Sequence, residues 1–157
     1  MQIDILTIFP NFFDEFLQHG MVRVARKQGR VEIRTVDLRA FTEDRHRTVD
    51  DRPYGGGPGM LLKPEPVFRA LDVLGLQPGE TAPEGTKLLL MCPRGRQLGQ
   101  GDLEDFAGAE RLVILCGRYE GYDERIVEAY PWQHVSLGDY VLSGGEVPAM
   151  AILEGAI

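Results

Sequence analysis

Residues 112–125, LVILCGRYEGYDER, contain the pattern that decides the fold. The apolar start predicts a buried strand, and Gly117 and Gly121 bracket a charged turn that leads into a helix. Glycines let a ligand approach the backbone closely, and the start of a helix offers unpaired N–H groups. Because α/β proteins bind ligands at the carboxyl ends of their strands, this segment predicts a ligand site.

Residues 135–148, VSLGDYVLSGGEVP, repeat the arrangement with different side chains. Two glycine turns flank a short apolar piece that comes before another helical run. A third strand-end loop, residues 92–97, follows the apolar run at 87–91. The glycine-bracketed loops predict one shared pocket at the edge of a sheet.

The remaining patterns alternate between strands and helices. Strands are predicted at residues 3–9 and 31–36, and helices from Pro10 onward and at 64–74, 101–106 and 148–157. Residues 42–59 contain too many Asp, Arg, Gly and Pro for a regular element and predict a long loop. The fold class expected is α/β, with a mostly parallel sheet and helices on both faces.

Length and composition suit one domain with a real core. The chain has 157 residues, 43% of them hydrophobic, and a mean hydropathy of -0.17. It contains no apolar run near the roughly 20 residues that span a bilayer and no signal-like start, so we expect a cytoplasmic protein without membrane contact. Cys92 and Cys116 each follow an apolar run, which favours buried thiols over a disulfide or a metal pair.

The net charge of -7 argues against a protein that coats nucleic acid non-specifically. Basic residues are nevertheless clustered in the first third of the chain. This fits either a solvated surface or a basic face that orients RNA phosphates. They are Arg23, Arg26, Lys27, Arg30, Arg34, Arg39, Arg45, His46, Arg47 and Arg52.

The glycine run at residues 55–59, GGGPG, is not a nucleotide loop. A P-loop needs Lys and Ser or Thr where Met60 and Leu61 stand, and a dinucleotide fingerprint should follow directly from a strand. One interpretation is a flexible loop that contacts substrate, with Tyr54 available to stack on a base and Arg45, Arg47 and Arg52 available to phosphates. The other is a tight surface loop.

Carboxylates are concentrated in and beside the two glycine-bracketed loops. Helix capping explains Asp123, Glu124 and Glu146 as well as any ligand role does. Glu120 and Asp139 lie inside the loops, where a carboxylate can face a cationic ligand.

Other site chemistries have little support. The three scattered histidines do not fit a structural zinc site, whereas hydrated Mg²⁺ needs only one or two carboxylates and leaves no sequence trace. A serine hydrolase is disfavoured because Ser136 and Ser143 make no nucleophile elbow.

Three motifs together carry a family resemblance: DDRPYGGGPGM at 50–60, CGRYEG at 116–121 and SLGDYVLSGGE at 136–146. Over essentially the whole chain the sequence resembles the bacterial tRNA (guanine-N1)-methyltransferases of the SPOUT class. The resemblance implies S-adenosylmethionine as methyl donor and tRNA as acceptor. The target would be N1 of the guanine just 3′ of the anticodon, position 37. It also implies a homodimer and a carboxyl-terminal trefoil knot in the parallel sheet.

The resemblance further implies site residues. The donor would lie bent among the three strand-end loops, with adenine and ribose recognised by the backbone of residues 137–142. Glu120 would be catalytic, attracting the cationic donor or helping to hold Mg²⁺. The cofactor-binding residues would be Met91, Cys92, Pro93, Gly117, Tyr119, Glu120, Leu137, Gly138, Asp139, Tyr140, Val141, Leu142, Gly144 and Gly145. The tRNA-binding residues would be Arg52, Tyr54, Gly55, Gly56 and Gly57, and the dimer would bring Tyr54 toward the target base.

Members of that family continue beyond the position of Ile157 with an arginine, a linker aspartate that acts as general base, and a helical tRNA-binding domain. We therefore expect residues 1–157 to form the donor-binding SPOUT domain, and we do not expect turnover from them alone. Two alternatives stay open. One is a dimeric core that binds the donor without chemistry, and the other is an RNA-binding module without a small ligand, which would leave the loops at Gly117 and Gly138 unexplained.

Overall fold

The computed structural model describes residues 1–53 and 55–157. Its centre is a five-stranded sheet in which every pairing is parallel, in the spatial order β2-β1-β6-β5-β7. A small antiparallel pair, β3 with β4, lies apart from it. The strands are β1 (Gln2–Thr7), β2 (Glu32–Asp37), β3 (Asp50–Asp51), β4 (Leu61–Leu62), β5 (Thr86–Gln97), β6 (Arg111–Cys116) and β7 (Gln133–Ser136).

Helices cover both faces of the large sheet. They are α1 (Gly20–Lys27), α2 (Pro64–Val73), α3 (Gln100–Ala107), α4 (Glu124–Ala129) and α5 (Glu146–Ala156). One core cluster includes Phe106 and Ile152 from α3 and α5, while the opposite cluster includes Leu71 and Ile126 from α2 and α4. The predicted α/β class, with helices on both faces, is confirmed.

The sequence of β6 shows why the sheet is buried on both sides. Leu112 and Ile114 belong to the first core cluster, and Val113 and Leu115 belong to the second. Because successive side chains of a strand point to opposite faces, a continuous apolar run supplies both cores.

The helix predicted from Pro10 onward is wrong at its start. Residues Pro10–Phe13 and Phe16–Gln18 form two short 3-10 turns, and α1 begins only at Gly20. The mixed aromatic spacing reflects this, because Phe13 is fully buried whereas Phe12 is 46% exposed. The turns bury single side chains rather than a helical face.

The loop predicted at 92–97 is also wrong, because these residues continue β5. The pairing of β5 with β7 shifts between Met91 and Arg96, so the intervening residues bulge out of the ladder. A bulge accommodates Pro93, which has no N–H to donate to a ladder. Gly95 lies so close to the backbone of His134 that a Cβ would overlap it.

The long loop predicted at 42–59 is confirmed for most of its described residues. It contains one short strand, β3, whose Asp50 and Asp51 pair with Leu62 and Leu61. No helix in the described parts of the chain is both long and apolar enough to cross a membrane. The knot implied by the resemblance stays a prediction.

Candidate functional site

A cavity of about 320 Å³ lies beside the bulge of β5 and the carboxyl end of β6. Three segments form its walls, namely the β5 bulge, the turn after β6, and the segment before α5. This agrees with the single pocket expected from the glycine-bracketed loops. The lining residues are Met91, Cys92, Pro93, Arg94, Gly117, Arg118, Tyr119, Glu120, Gly121, Tyr122, Val141, Leu142, Ser143 and Gly144.

Tyr122 lines the cavity and links the bulge of β5 to the end of β6. Its hydroxyl donates to the carbonyl of Met91 at 2.7 Å and lies 3.3 Å from that of Leu115. The hydroxyl also lies so close to Gly117 that a Cβ there would overlap it. Burial, and secondarily the charge of Cys116, raises the pKa of Tyr122 well above its usual range, so the phenol stays a donor at neutral pH.

Gly145 packs against both β5 and the end of β6 next to the cavity. Its N–H donates to the carbonyl of Gly117 at 2.8 Å, and a Cβ would lie 2.7 Å from Cα of Cys116 and 2.8 Å from Cβ of Met91. Real Cβ atoms do not pack so closely, so only glycine fits.

Burial of Cys116, with the nearby charge of Glu146, raises the pKa of its thiol well above the usual range.

Arg118 spans two of the three cavity segments. Its Nε donates to Oε2 of Glu146 at 2.9 Å, and its Nη1 donates to the carbonyl of Ser143 at 3.2 Å. Its guanidinium carbon lies 4.8 Å from the ring centroid of Phe9, within cation–π range. Arg118 thereby fixes the turn after β6 against the segment before α5.

The glycine-rich loop is docked onto the turn after β6. The N–H of Glu120 donates to the carbonyl of Met60 at 3.0 Å, and the N–H of Leu62 donates to that of Gly121 at 3.0 Å. Gly59 has a φ of +85°, and the side chain of Glu120 occupies the space that a Cβ at residue 59 would need. The predicted substrate loop and the cavity are therefore one connected structure.

Tyr119 is held in an unusual backbone conformation. Its φ of +63° lies in the left-handed region, which a bulky residue rarely adopts. Asp50 and Arg39 face its hydroxyl, and burial, followed by the charge of Asp50, raises the pKa of Tyr119. These contacts connect the turn after β6 to the long loop.

Five of the residues predicted to bind cofactor lie outside the lining of the cavity: Leu137, Gly138, Asp139, Tyr140 and Gly145. Four of them belong to the turn after β7. There the hydroxyl of Ser136 and the N–H of Tyr140 both donate to the carbonyl of Gly138, at 3.0 and 2.8 Å. Tyr140 is 55% exposed. Cofactor roles for these residues stay predictions.

The predicted tRNA-binding residues are only partly described. Arg52, Gly55, Gly56 and Gly57 are exposed, and all three glycines have positive φ with no neighbour within 4 Å of a would-be Cβ. Tyr54 lies outside the described residues. The tRNA roles stay predictions.

Sequence reasoning missed several residues of the site. Arg94, Arg118, Gly121, Tyr122 and Ser143 line the cavity, and all lie within the segments already singled out. Their position beside the glycines was the available signal.

The helix-capping interpretation is right for Asp123, which accepts from the N–H of Arg125 at 3.0 Å. It is wrong for Glu146, whose fully buried carboxylate pairs with Thr7 and Arg118. Among the described residues, no group of three or more His, Cys, Asp or Glu is arranged to hold a metal ion.

Comparisons with known proteins identify the family of the chain. The family model for tRNA (Guanine-1)-methyltransferase TrmD matches residues 1–157. A tRNA (guanine-N(1)-)-methyltransferase of Moorella thermoacetica is 47% identical over 98% of this chain and 60% of its own length. The enzyme of the same name from Staphylococcus carnosus is 45% identical over 100% of this chain and 62% of its own length. That from Koribacter versatilis is 49% identical over 98% of this chain and 58% of its own length.

The chain thus spans about three fifths of the length of these curated relatives. The match extends from its first residue to its last and includes every segment that lines the cavity. The chain belongs to the tRNA (guanine-1)-methyltransferase TrmD family.

Proposed function

We propose that residues 1–157 form the S-adenosylmethionine-binding domain of a tRNA (guanine-N1)-methyltransferase. The methyl group would go to N1 of the guanine just 3′ of the anticodon, position 37. The observation that carries the proposal is the cavity bounded by three segments at the carboxyl edge of the sheet, in a chain whose relatives bear this name.

The residues of the cavity fit such a cofactor. A volume of about 320 Å³ lies at the lower end of small-molecule sites. Its walls offer backbone groups at Gly117, Gly121 and Gly144 together with apolar side chains such as Val141 and Leu142. When bound, the cofactor supplies a sulfonium-activated methyl group. The charged side chains of the lining are Glu120, Arg94 and Arg118, and Arg118 is paired with Glu146. Glu120 is therefore the lining group that would attract the positive charge at sulfur.

Methyl transfer forms a bond between N1 of guanine and the methyl carbon as the bond from that carbon to sulfur breaks. The N1 proton must pass to a base. Glu120 lines the cavity, and we assign it the role of attracting the positive charge of the donor or helping to hold Mg²⁺. Its side chain is exposed, so the attraction is on the order of 1 kcal/mol. The resemblance assigns the base to a linker aspartate beyond these residues.

The glycine-rich loop is the proposed contact for tRNA. Residues 55–57 are exposed and open, and Gly59 contacts Glu120. A target base held by this loop would therefore approach the cavity from the side on which Glu120 lies. Arg52 is exposed and available to a phosphate. Since tRNA is modified where it is used, we assign the protein to the cytoplasm.

We further propose that the domain forms a homodimer. Large apolar side chains are exposed around the cavity and on the neighbouring turns, more than scattered surface residues require. They include Phe9 at 43%, Phe12 at 46%, Val141 at 81%, Leu142 at 40% and Val147 at 47% exposed. Sedimentation equilibrium should give twice the chain mass, and a monomer at micromolar concentration would contradict the dimer.

Calorimetric titration and a methyl-transfer assay on the 157-residue chain test the function. S-adenosylhomocysteine should bind saturably with one site per chain, whereas ATP should not bind. Methyl-labelled S-adenosylmethionine is then offered with tRNA transcripts that carry guanine or adenine after the anticodon. Labelling of the guanine transcript alone would support the full proposal. Binding without transfer is the result expected of these residues alone, because the resemblance assigns the base to an aspartate beyond them, and it is also what the donor-binding core would give. Binding of tRNA without cofactor affinity would favour the RNA-binding module.

A further inference from the structure

A buried carboxylate lies behind the cavity rather than in its lining. Glu146 begins α5 and Thr7 ends β1, and both are fully buried. Oε1 of Glu146 accepts from the Thr7 hydroxyl at 2.8 Å, and Oε2 accepts from Nε and Nη2 of Arg118, both at 2.9 Å. Burying a carboxylate carries a desolvation cost that an apolar side chain at the start of α5 would avoid, and the contacts with Thr7 and Arg118 offset that cost.

The other end of the ion pair, Arg118, lies in the lining of the cavity. The guanidinium of Arg118 uses two nitrogens on Glu146 and the third on the carbonyl of Ser143, at 3.2 Å. Its side chain also fills the space that a Cβ of Gly144 would need. If Arg118 turned away from Glu146, the segment before α5 would lose its side-chain link to the turn after β6.

Thr7 determines how the carboxylate is turned. Its hydroxyl donates to Glu146 and accepts from the N–H of Phe9 at 3.0 Å, so the direction of the donated proton is fixed by the backbone after β1. The carboxylate therefore has one oxygen committed to β1 and the other to Arg118. The contacts thus run from the cavity lining at Arg118 through Glu146 to Thr7.

We propose that Glu146 and Thr7 are positioning residues for cofactor binding. They hold Arg118 in the orientation that keeps two walls of the cavity at the spacing the cofactor needs. Neither residue lines the cavity, and both act through Arg118. The inference rests on the proposed cofactor site.

The test measures S-adenosylhomocysteine affinity by calorimetry for the wild-type chain and for Glu146→Gln, Thr7→Val and Thr7→Ser. Glu146→Gln keeps the shape and removes the charge. We expect roughly tenfold weaker binding, by analogy with the loss of a side chain that orients a metal ligand. Thr7→Val should weaken binding by a smaller factor, and Thr7→Ser, which keeps the hydroxyl, should restore it. Leu71→Ala, in the core on the opposite face of the sheet, is the control for lost stability.

A merely structural role gives a different pattern. If Leu71→Ala weakened binding as much as Glu146→Gln at equal loss of thermal stability, the positioning role would be rejected. Wild-type affinity in both Glu146→Gln and Thr7→Val would reject it too while leaving the cofactor site intact. If the folded wild-type chain did not bind S-adenosylhomocysteine, the proposed function would fail, and the positioning role with it.

A spectroscopic readout keeps the proposal testable if Glu146→Gln does not fold. The Nε–H signal of Arg118, assigned by its loss in Arg118→Lys, should be sharp and shifted in the wild-type chain because Nε donates to a buried carboxylate. In Thr7→Val it should broaden or move. An unchanged signal would show that Thr7 does not influence Arg118.

Discussion

Gly59 and Glu120 are in direct contact, because the side chain of Glu120 occupies the space in which a Cβ at residue 59 would lie. The contact joins the glycine-rich loop to the cavity, and the hydrogen bond from Glu120 to Met60 reinforces it at 3.0 Å. A residue of the proposed tRNA loop thus determines where the carboxylate at the cavity lies.

Replacing Gly59 by alanine should therefore displace Glu120. S-adenosylmethionine is cationic at sulfur and S-adenosylhomocysteine is neutral there. The ratio of their affinities therefore measures how strongly the carboxylate of Glu120 attracts the charge at sulfur. We expect the preference for the cationic ligand to fall by about fivefold, which corresponds to about 1 kcal/mol for an exposed charge pair. Gly56→Ala is the matched control, since Gly56 has a φ of +82° and open space around it. An equal change in both variants would indicate backbone strain alone.

Removal of the Tyr122 hydroxyl should loosen the edge of the sheet beside the cavity. In Tyr122→Phe the carbonyl of Met91 loses its 2.7 Å partner, and we expect the free energy of unfolding to fall by about 1–2 kcal/mol. Urea denaturation measures this directly. Tyr140→Phe is the comparison, because Tyr140 is 55% exposed. Equal stability of the two variants would argue against the hydrogen bond as a structural link.

Stability should decrease at alkaline pH because of Cys116. Its pKa is raised by burial in the folded chain, whereas an unfolded cysteine ionises near about 8.5. The stabilisation is therefore complete below that pH and is lost as the pH rises toward the folded pKa, since unfolding then releases a proton. The loss is about 1.4 kcal/mol per pH unit for one group.

The matching variant is Cys116→Ala, whose free energy of unfolding should change less with pH between about pH 8.5 and 10. Above pH 10 the raised pKa of Tyr122 should still produce a decline in both proteins. The measurement is the free energy of unfolding in urea at a series of pH values. Parallel profiles for the two proteins throughout this range would assign the alkaline decline to other groups.

Asp4 supports the sheet at the end opposite the cavity. Its fully buried carboxylate contacts Arg34 and Arg111, each with a 2.7 Å ion pair. Asp4→Ala should cost on the order of 3 kcal/mol, because Arg111 is left largely buried without its partner. Asp105→Ala, which breaks the more exposed pair with Lys87, should cost less than about 1 kcal/mol. S-adenosylhomocysteine affinity should be unchanged in the folded fraction of both.

Local patterns were sufficient to predict the sheet and the cavity. The apolar run of β6 and the glycines at 117 and 121 identify a strand end by residue type alone, and parallel strands bring such ends to one edge. The β5 bulge could not be predicted in this way. Pro93 and Gly95 are typical of a loop, and only the partner strand shows that the ladder resumes at Arg96.

The contacts behind the cavity could not be predicted from local sequence. Thr7 and Glu146 are 139 residues apart, and an acid at the start of a helix is usually explained by the helix dipole. Burial of the carboxylate distinguishes an internal ion pair from an exposed acid that interacts with the helix dipole, and burial depends on tertiary packing. The left-handed conformation of Tyr119 is a similar case, since nothing in its residue type favours it.

The central claim is that three segments at one edge of the sheet form a single cofactor site. An NMR titration of the ¹⁵N-labelled chain with S-adenosylhomocysteine tests it most directly, because backbone amides report each segment separately. We predict saturable shifts with one common dissociation constant for Cys92, Gly117 and Gly144, one from each segment, and none for Gly75 and Gly79, which lie outside the cavity lining. Shifts confined to other parts of the chain, or no shifts in a folded sample, would contradict the account.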